Sequence, residues 1–585
     1  MVLAERSRNV IANPSPKRRV LQAVALSAGA LLLLIHPVPA APPAASSDRV
    51  PRGRLATAIA QTRSTLRPLV GRGDLLETLY FGWFDRPYQR ATLACAFKTL
   101  AVLEYESKLR ELGNGAIADD QLERIIEWTD SVGRRTAAPA RRPGFRPNRV
   151  PAARTDVLDT LSSERGRPAV ESLFGFIDRA TATPCDDQLG DFDLLACLGF
   201  RVVGISPVRS AGARERSPLL RRAQALRIAL VTTGVTGEDP DRAEGTPLPQ
   251  PASLVAGELA DFIADTGEGS ADPSALRAVI DPPHGESWPE SLARRALYRG
   301  ATGRDRSIVT GWSLPRTTSA QVDLPERISA AMWVHALDGQ RLGLLEGWRD
   351  VRDGSASPYA SITLDPGAVE AVAATALDLL YFREVIERFD GRPEVAVVVE
   401  PDALRSGSSN RWSEDYAALF DALTAQQIRF DVLPRSRLND PPLDRAYQVV
   451  IEATDKPRAG DQRLFVARAE AGNENRVLQQ TTPGVTDLAA AIAEHLATGG
   501  EPSDDLIVRD SHGAPPPDVL VFSGRDSSVA VVNIADAPTE VRIKNNSEER
   551  APALRDVLSN ETIADPTQGL PLRPWQVRVL VPTET

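Results

Sequence analysis

The amino-acid sequence predicts an α/β multidomain protein: a degenerate TIM-like (β/α)8 barrel and a flavodoxin-like α/β domain, then a small C-terminal β-sandwich, with an N-terminal helical region in front. Three observations predict it. The chain has 585 residues, 42% of them hydrophobic, which is too long for one ordinary core. Apolar runs and helical stretches alternate from about residue 171, the signature of parallel βαβ units. From about residue 515 only strand-like runs remain, separated by turn residues.

Residues 1–40 open with a basic stretch ending Lys17-Arg18-Arg19, run apolar from Val20 to Ile35 and leave through Val38-Pro39-Ala40. This is the composition of a signal peptide. The apolar run falls short of the roughly 20 residues a spanning helix needs, and Pro37 and Pro39 follow at once; an uncleaved anchor is the alternative. The expectation is an exported protein, periplasmic or extracellular, with no stable membrane insertion after cleavage. Removing the segment takes five cations and one anion from a chain of net charge -10 and leaves -14.

Residues 55–133 read as a helical region, a subdomain or a lid, with Leu93, Phe97, Leu100, Leu103 and Leu109 recurring at helical spacing. Residues 134–165 read as an Arg/Pro-rich linker. Residues 166–390 carry the barrel pattern. Strands are expected at 172–178, 200–206 and 228–233, with helices at 192–198 and 219–226 between them. Residues 234–251, rich in Gly, Pro and acids, read as loop. Strands become legible again at 307–312 and 342–348, around a helix at 325–337, so the middle of the barrel is blurred. Asp365-Pro366 is an N-cap and first helical residue for a long helix that Gly391 closes.

Residues 391–500 give the flavodoxin-like unit, with strands at 394–399, 428–433 and 447–451 and helices at 412–425 and 487–496. Residues 505–585 give the β-sandwich, with strands at 519–522, 529–533, 541–543 and 576–581.

Composition excludes several chemistries. Sixty-eight Lys+Arg against 78 Asp+Glu and a pI near 5.3 speak against nucleic acid as a partner. Cys95, Cys185 and Cys197 lack Cys-x-x-Cys spacing and the five His lie far apart, so neither a zinc site nor a disulfide scaffold is expected, although one bridge is open. Residues 391–500 contain no Cys for an amidotransferase nucleophile. Glu400-Pro401-Asp402, after the first strand of that unit, puts carboxylates where a flavin phosphate needs donors. No cofactor is expected, and the unit reads as structural, packing between domains or subunits.

A barrel, a flavodoxin-like unit and a terminal β domain together resemble the layout of the family 42 glycoside hydrolases, β-galactosidases with a central trimerisation domain. Asp191 to Leu195, with Leu198 to Val203, is similar to that family's first barrel helix and second strand. Ile328 to Gly339 with Leu344 to Arg349 resembles its last helix and strand. Leu554 to Leu558 and Leu572 to Leu580 look like glycosidase C-terminal β domains. The resemblance covers roughly residues 170–585. It implies carbohydrate as partner, carboxylate acid–base hydrolysis of β-galactosides or related glycans, and a homo-oligomer, a trimer. A catalytically inactive glycan-binding or envelope scaffold protein on the same fold is the alternative.

The family carries glutamates at the ends of barrel strands four and seven, the first preceded by Asn. Here the strand expected seventh ends in Thr310-Gly311-Trp312-Ser313, the fourth is not located, and no Asn-Glu pair occurs between residues 200 and 330. Gly267-Glu268-Gly269 and Gly285-Glu286-Ser287 are the nearest substitutes. The catalytic candidates are therefore Glu346 and Asp178, each at the end of a strand-like run, where a barrel displays functional groups. An ion pair of Glu346 with Arg349 or Arg341, and a capping role for Asp178, are the other readings. Trp312 and Trp348, at strand ends, are candidate sugar platforms because aromatic faces stack on apolar sugar faces. Arg349 and His335 complete the substrate-binding candidates, His335 being open between helix surface and site; Trp333 reads as core.

Overall fold

The computed structural model describes residues 52–70, 83, 86–113, 115, 117–138, 142, 145, 174–177, 194–200, 202–205, 225–226, 229–233, 252–256, 276–279, 287–302, 308–313, 324–339, 342–346, 365–389 and, with short interruptions, 393–583. The signal peptide expected at 1–40, residues 146–165 of the expected linker and the loop expected at 234–251 lie outside them.

Among the described residues the N-terminal region forms three helices, α1 (Arg52–Val70), α2 (Pro87–Glu111) and α3 (Asp119–Ala137). Pro87 starts α2, where its missing N–H costs nothing. α3 carries Asp119 and Asp120 in its first turn and Arg134 and Arg135 in its last, matching the helix dipole. Leu55, Ala58, Leu103, Leu122, Ile125 and Ile126 form the bundle core. The α2–α3 turn is pinned by Arg110, which donates to Glu106 and Asp119 at 2.7 Å each and to the Ile117 carbonyl at 2.8 Å.

Seven parallel strands follow: β1 (Phe174–Ile177), β2 (Val202–Ile205), β3 (Ala229–Thr233), β4 (Ala252–Ala256), β5 (Leu276–Val279), β6 (Ile308–Ser313) and β7 (Leu342–Glu346). They close into a barrel in chain order, β7 pairing with β1 through Phe174–Leu344 and Gly175–Leu345. The strand expected seventh is thus the sixth among the described residues. The seventh is Leu342–Glu346, and the fourth is Ala252–Ala256.

Among the described residues three long helices accompany the barrel segment: α4 (Trp288–Thr302), α5 (Leu324–Leu337) and α6 (Pro366–Tyr381). α6 starts where the sequence places it, with the Asp365 carboxylate accepting from the Ala368 N–H at 3.0 Å. It ends earlier than expected, at Tyr381, where Phe382 breaks the helix before a short turn at Arg383–Ile386. α5 and α6 run side by side in the same direction, Pro325 next to Gly367 and Ser329 bonded to Thr375 at 2.9 Å. α5 must return from the end of β6 to the start of β7, so both helices begin on the side where the strands end.

The second α/β unit has strands β8 (Val395–Val399), β9 (Phe430–Pro434), β10 (Val449–Ala453), β11 (Phe465–Ala471) and β12 (Glu474–Gln480), and helices α7 (Glu414–Ala425) and α8 (Val485–Gly499). The order β12-β11-β10-β8-β9 is the flavodoxin order, with the last two strands turned into an antiparallel hairpin. α4 belongs to the barrel by sequence and to this unit by packing. Its Ala293, Ala296 and Leu297 are buried with Val395, Val397, Phe430 and Val432, and the fully buried Trp412 donates its indole N–H to the Glu290 carbonyl at 3.1 Å.

The C-terminal part holds β13 (Leu506–Arg509), β14 (Val519–Ser523), β15 (Val529–Asn533), β16 (Thr539–Asn545), β17 (Leu554–Asp556), β18 (Glu561–Ile563), β19 (Leu570–Leu572) and β20 (Val577–Pro582). They form sheets of order β13-β16-β19 and β14-β15-β20-β17-β18. Val519, Val529 and Val531 face the first sheet's Val508 and Val541. The alternate residues Leu520, Phe522, Ala530 and Val532 enter the core that holds α5, α6 and Phe389. Burial on both faces explains why these strands read as continuous apolar runs rather than alternating ones.

Candidate functional site

A parallel barrel offers chemistry at the rim where its strands end. Glu346 is the last residue of β7, and its backbone pairs with Ser313, the last residue of β6. Trp312 pairs with Leu345 one step inward. Asp178 lies outside the described residues, yet it follows Ile177 of β1 directly, and β1 is the other neighbour of β7. Trp348 and Arg349 also lie outside the described residues, two and three positions past Glu346. The topology therefore brings the ends of β6, β7 and β1, with Trp312, Glu346 and the attachment point of Asp178, to one sector of one rim.

His335 is elsewhere. It stands near the end of α5, on the side where β7 begins, and only 7% of it is exposed. Its Nε2 lies 3.1 Å from Nη2 of Arg295 on α4, which also donates to the Ser291 hydroxyl at 3.1 Å. Asp338 is 3.9 Å from the same guanidinium. An arginine can only donate, so His335 Nε2 accepts and Nδ1 carries the proton. Burial, and then the Arg295 charge, hold the imidazole well below its usual pKa, so it is neutral. Trp333 is core, 2% exposed and packed against Phe382.

Locating β4 and β5 adds two acids that the sequence reading did not single out. Glu258 is two residues past β4 and Asp281 two past β5, both outside the described residues. No local signal marks them, because their significance depends on where the strands lie.

Ion pairs stand at the strand ends of the second α/β unit. Arg435 reaches Glu400 at 2.6 Å and Glu452 at 3.7 Å, and Arg468 reaches Glu452 at 3.7 Å. The Glu400 carboxylate stands where a phosphate-cradling turn would present N–H donors, as the sequence suggests. Cys95 and Cys197 are buried; burial first, and then Glu370, push the Cys95 thiol far above its usual range and disfavour its thiolate. Among the described residues no helix is long and apolar enough to cross a membrane.

No family model matches this chain, and no curated protein does. Solved structures similar to it include the following three. An apo GH42 exo-carrageenase from Bacteroides ovatus is 12% identical, with 91% of this chain and 99% of that chain covered and a TM-score of 0.46. A polyextremophilic β-galactosidase from the Antarctic haloarchaeon Halorubrum lacusprofundi is 13% identical, with 70% and 99% covered and a TM-score of 0.35. A rhamnosidase from Novosphingobium sp. PP1Y is 11% identical, with 68% and 39% covered and a TM-score of 0.26. These are likenesses of overall fold to glycoside hydrolases, and no residue role follows from them.

Proposed function

We propose that the protein is an exported glycoside hydrolase-like protein that cleaves β-galactosides or related glycans at the rim where β6, β7 and β1 end. One observation carries the reading: β7, which ends on Glu346, pairs with β1, which Asp178 follows. Neighbouring strands are about 4.8 Å apart. Carboxylates at adjoining strand ends match the roughly 5–5.5 Å of a retaining glycosidase better than the wider gap of an inverting one. One carboxylate then attacks the anomeric carbon while the other, as its acid, protonates the departing glycosidic oxygen. Water, deprotonated by that second group, displaces the enzyme from the sugar.

The test is turnover of aryl glycosides and envelope polysaccharides by the purified mature protein. Hydrolysis that collapses in Glu346→Gln supports the reading. Glycan binding without turnover would favour the catalytically silent alternative, and neither binding nor turnover would remove both.

A further inference from the structure

The three-helix unit is fixed to the barrel. Glu370 on α6 accepts from Thr92 at 2.7 Å, from the Trp128 indole at 3.0 Å and from Arg135. Asp378, two turns on, accepts from Tyr88 at 2.8 Å. Buried Arg90 donates to the Cys197 carbonyl at 3.0 Å, on the short helix at 194–198 that precedes β2. The unit thus clasps the outside of the barrel across α6 and the helix between β1 and β2. Such buried, multiply bonded carboxylates fit a rigid buttress rather than a lid.

The direction of α2 follows from these contacts. Tyr88 meets Asp378 and Thr92 meets Glu370, so α2 runs against α6 and with the strands. The stretch from Leu100 to Glu111 is about 17 Å long and extends on the side where the strands end. Arg90, Ala94, Phe97, Ala101, Tyr105, Lys108 and Leu112 share a sector of about 80° at 3.6 residues per turn. At its lower end this stripe is buried: Arg90 is on Cys197, and Ala94 and Phe97 are in the main core. Higher up it opens, Tyr105 half-buried, Lys108 exposed and Leu112 74% exposed. The open part of the stripe therefore extends past the barrel on the side where the strands end, above the helix between β1 and β2.

We infer that this face of α2, with Tyr105 as its aromatic platform, is a wall of the glycan cleft and binds sugar units beyond the one at the carboxylates. This rests on the glycan reading and extends it, because a wall set off from the reacting bond is of use only to an oligosaccharide or polysaccharide. A tyrosine face suits a sugar for the reason that aromatic rings stack on apolar sugar faces.

The test compares Tyr105→Ala, Tyr105→Phe and the parent protein on a galactan oligosaccharide and on an aryl galactoside, with thermal midpoints confirming the fold. Tyr105→Ala is expected to raise KM for the oligosaccharide about three- to tenfold, and Tyr105→Phe to restore it, with aryl galactoside kinetics unchanged. If the protein binds without turnover, the same pattern is expected in Kd for the oligosaccharide against galactose. Equal effects on the long and the short ligand, or none, would overturn the wall while leaving the carboxylate site standing. Failure to bind or cleave either ligand would remove both.

Discussion

Trp128 of α3 donates its indole N–H to Glu370 of α6 across 3.0 Å, tying the helical region to the last helix of the barrel. The same carboxylate holds Thr92 and Arg135, and its own side chain is 14% exposed. Glu370→Ala orphans the buried Trp128 indole N–H, while the Thr92 hydroxyl keeps the Tyr88 carbonyl at 3.2 Å as an acceptor, and should weaken the docking of α1–α3 by about 1.5–3 kcal/mol, with the half-exposed Arg135 contributing least. Hydrogen exchange reports it: amides of α2 and α3 should exchange through an opening at least roughly tenfold more populated. Unchanged protection would show that apolar packing alone seats the unit.

Trp412 couples the two α/β units in the same way. Its ring is fully buried, edge-on to Phe420 with centroids 5.0 Å apart, and its N–H reaches the first turn of α4. Trp412→Phe should cost about 1–2 kcal/mol for the lost hydrogen bond, and Trp412→Ala about 3–5 kcal/mol for the cavity. Because α4 is connected directly to β6, both units should lose stability together in urea. A transition of the second unit that moves alone would break the coupling.

How much of this was legible follows from what each pattern depends on. The ends of the barrel were readable because 174–177, 202–205, 229–233 and 342–346 are compact Val, Ile, Leu and Phe runs. β4 and β5 escaped because Ala-Ser-Leu-Val-Ala and Leu-Arg-Ala-Val are short and poor in β-branched residues, so only closure of the sheet identifies them. The β11–β12 hairpin did leave a signal, Gly472-Asn473 between two seven-residue runs. The docking of α4 onto β9 left none, since an apolar helix face does not say which sheet will cover it. Glu346 could be proposed from its run alone, whereas its adjacency to β1 required the topology.

His335 gives the protein a pH dependence. Its folded pKa lies well below the ordinary 6.5 because burial and Arg295 oppose the charged ring. As pH falls below about 6.5 the unfolded chain takes up a proton that the folded chain refuses, so stability drops by up to about 1.4 kcal/mol per pH unit until the folded group titrates. His335→Gln keeps an acceptor for Arg295 and cannot ionise. Denaturation midpoints between neutral pH and pH about 5 should fall less in this variant than in the parent; parallel curves would exclude His335 as the source.

The last prediction decides which carboxylate partners Glu346. Asp178 is attached to the neighbouring strand β1, whereas Glu258 follows β4, three strands from β7 around the ring through β5 and β6. Proximity favours Asp178. In Asp178→Asn turnover of an aryl galactoside with a good leaving group should fall less than turnover of an alkyl galactoside if Asp178 is the acid, because a good leaving group needs little protonation. Loss should reach about 100-fold or more on the alkyl substrate. Added azide should then rescue the aryl reaction, since the small anion needs no general base to enter. If Glu258→Gln shows this pattern instead and Asp178→Asn is near parent activity, the site spans the barrel mouth and the neighbouring-strand reading falls.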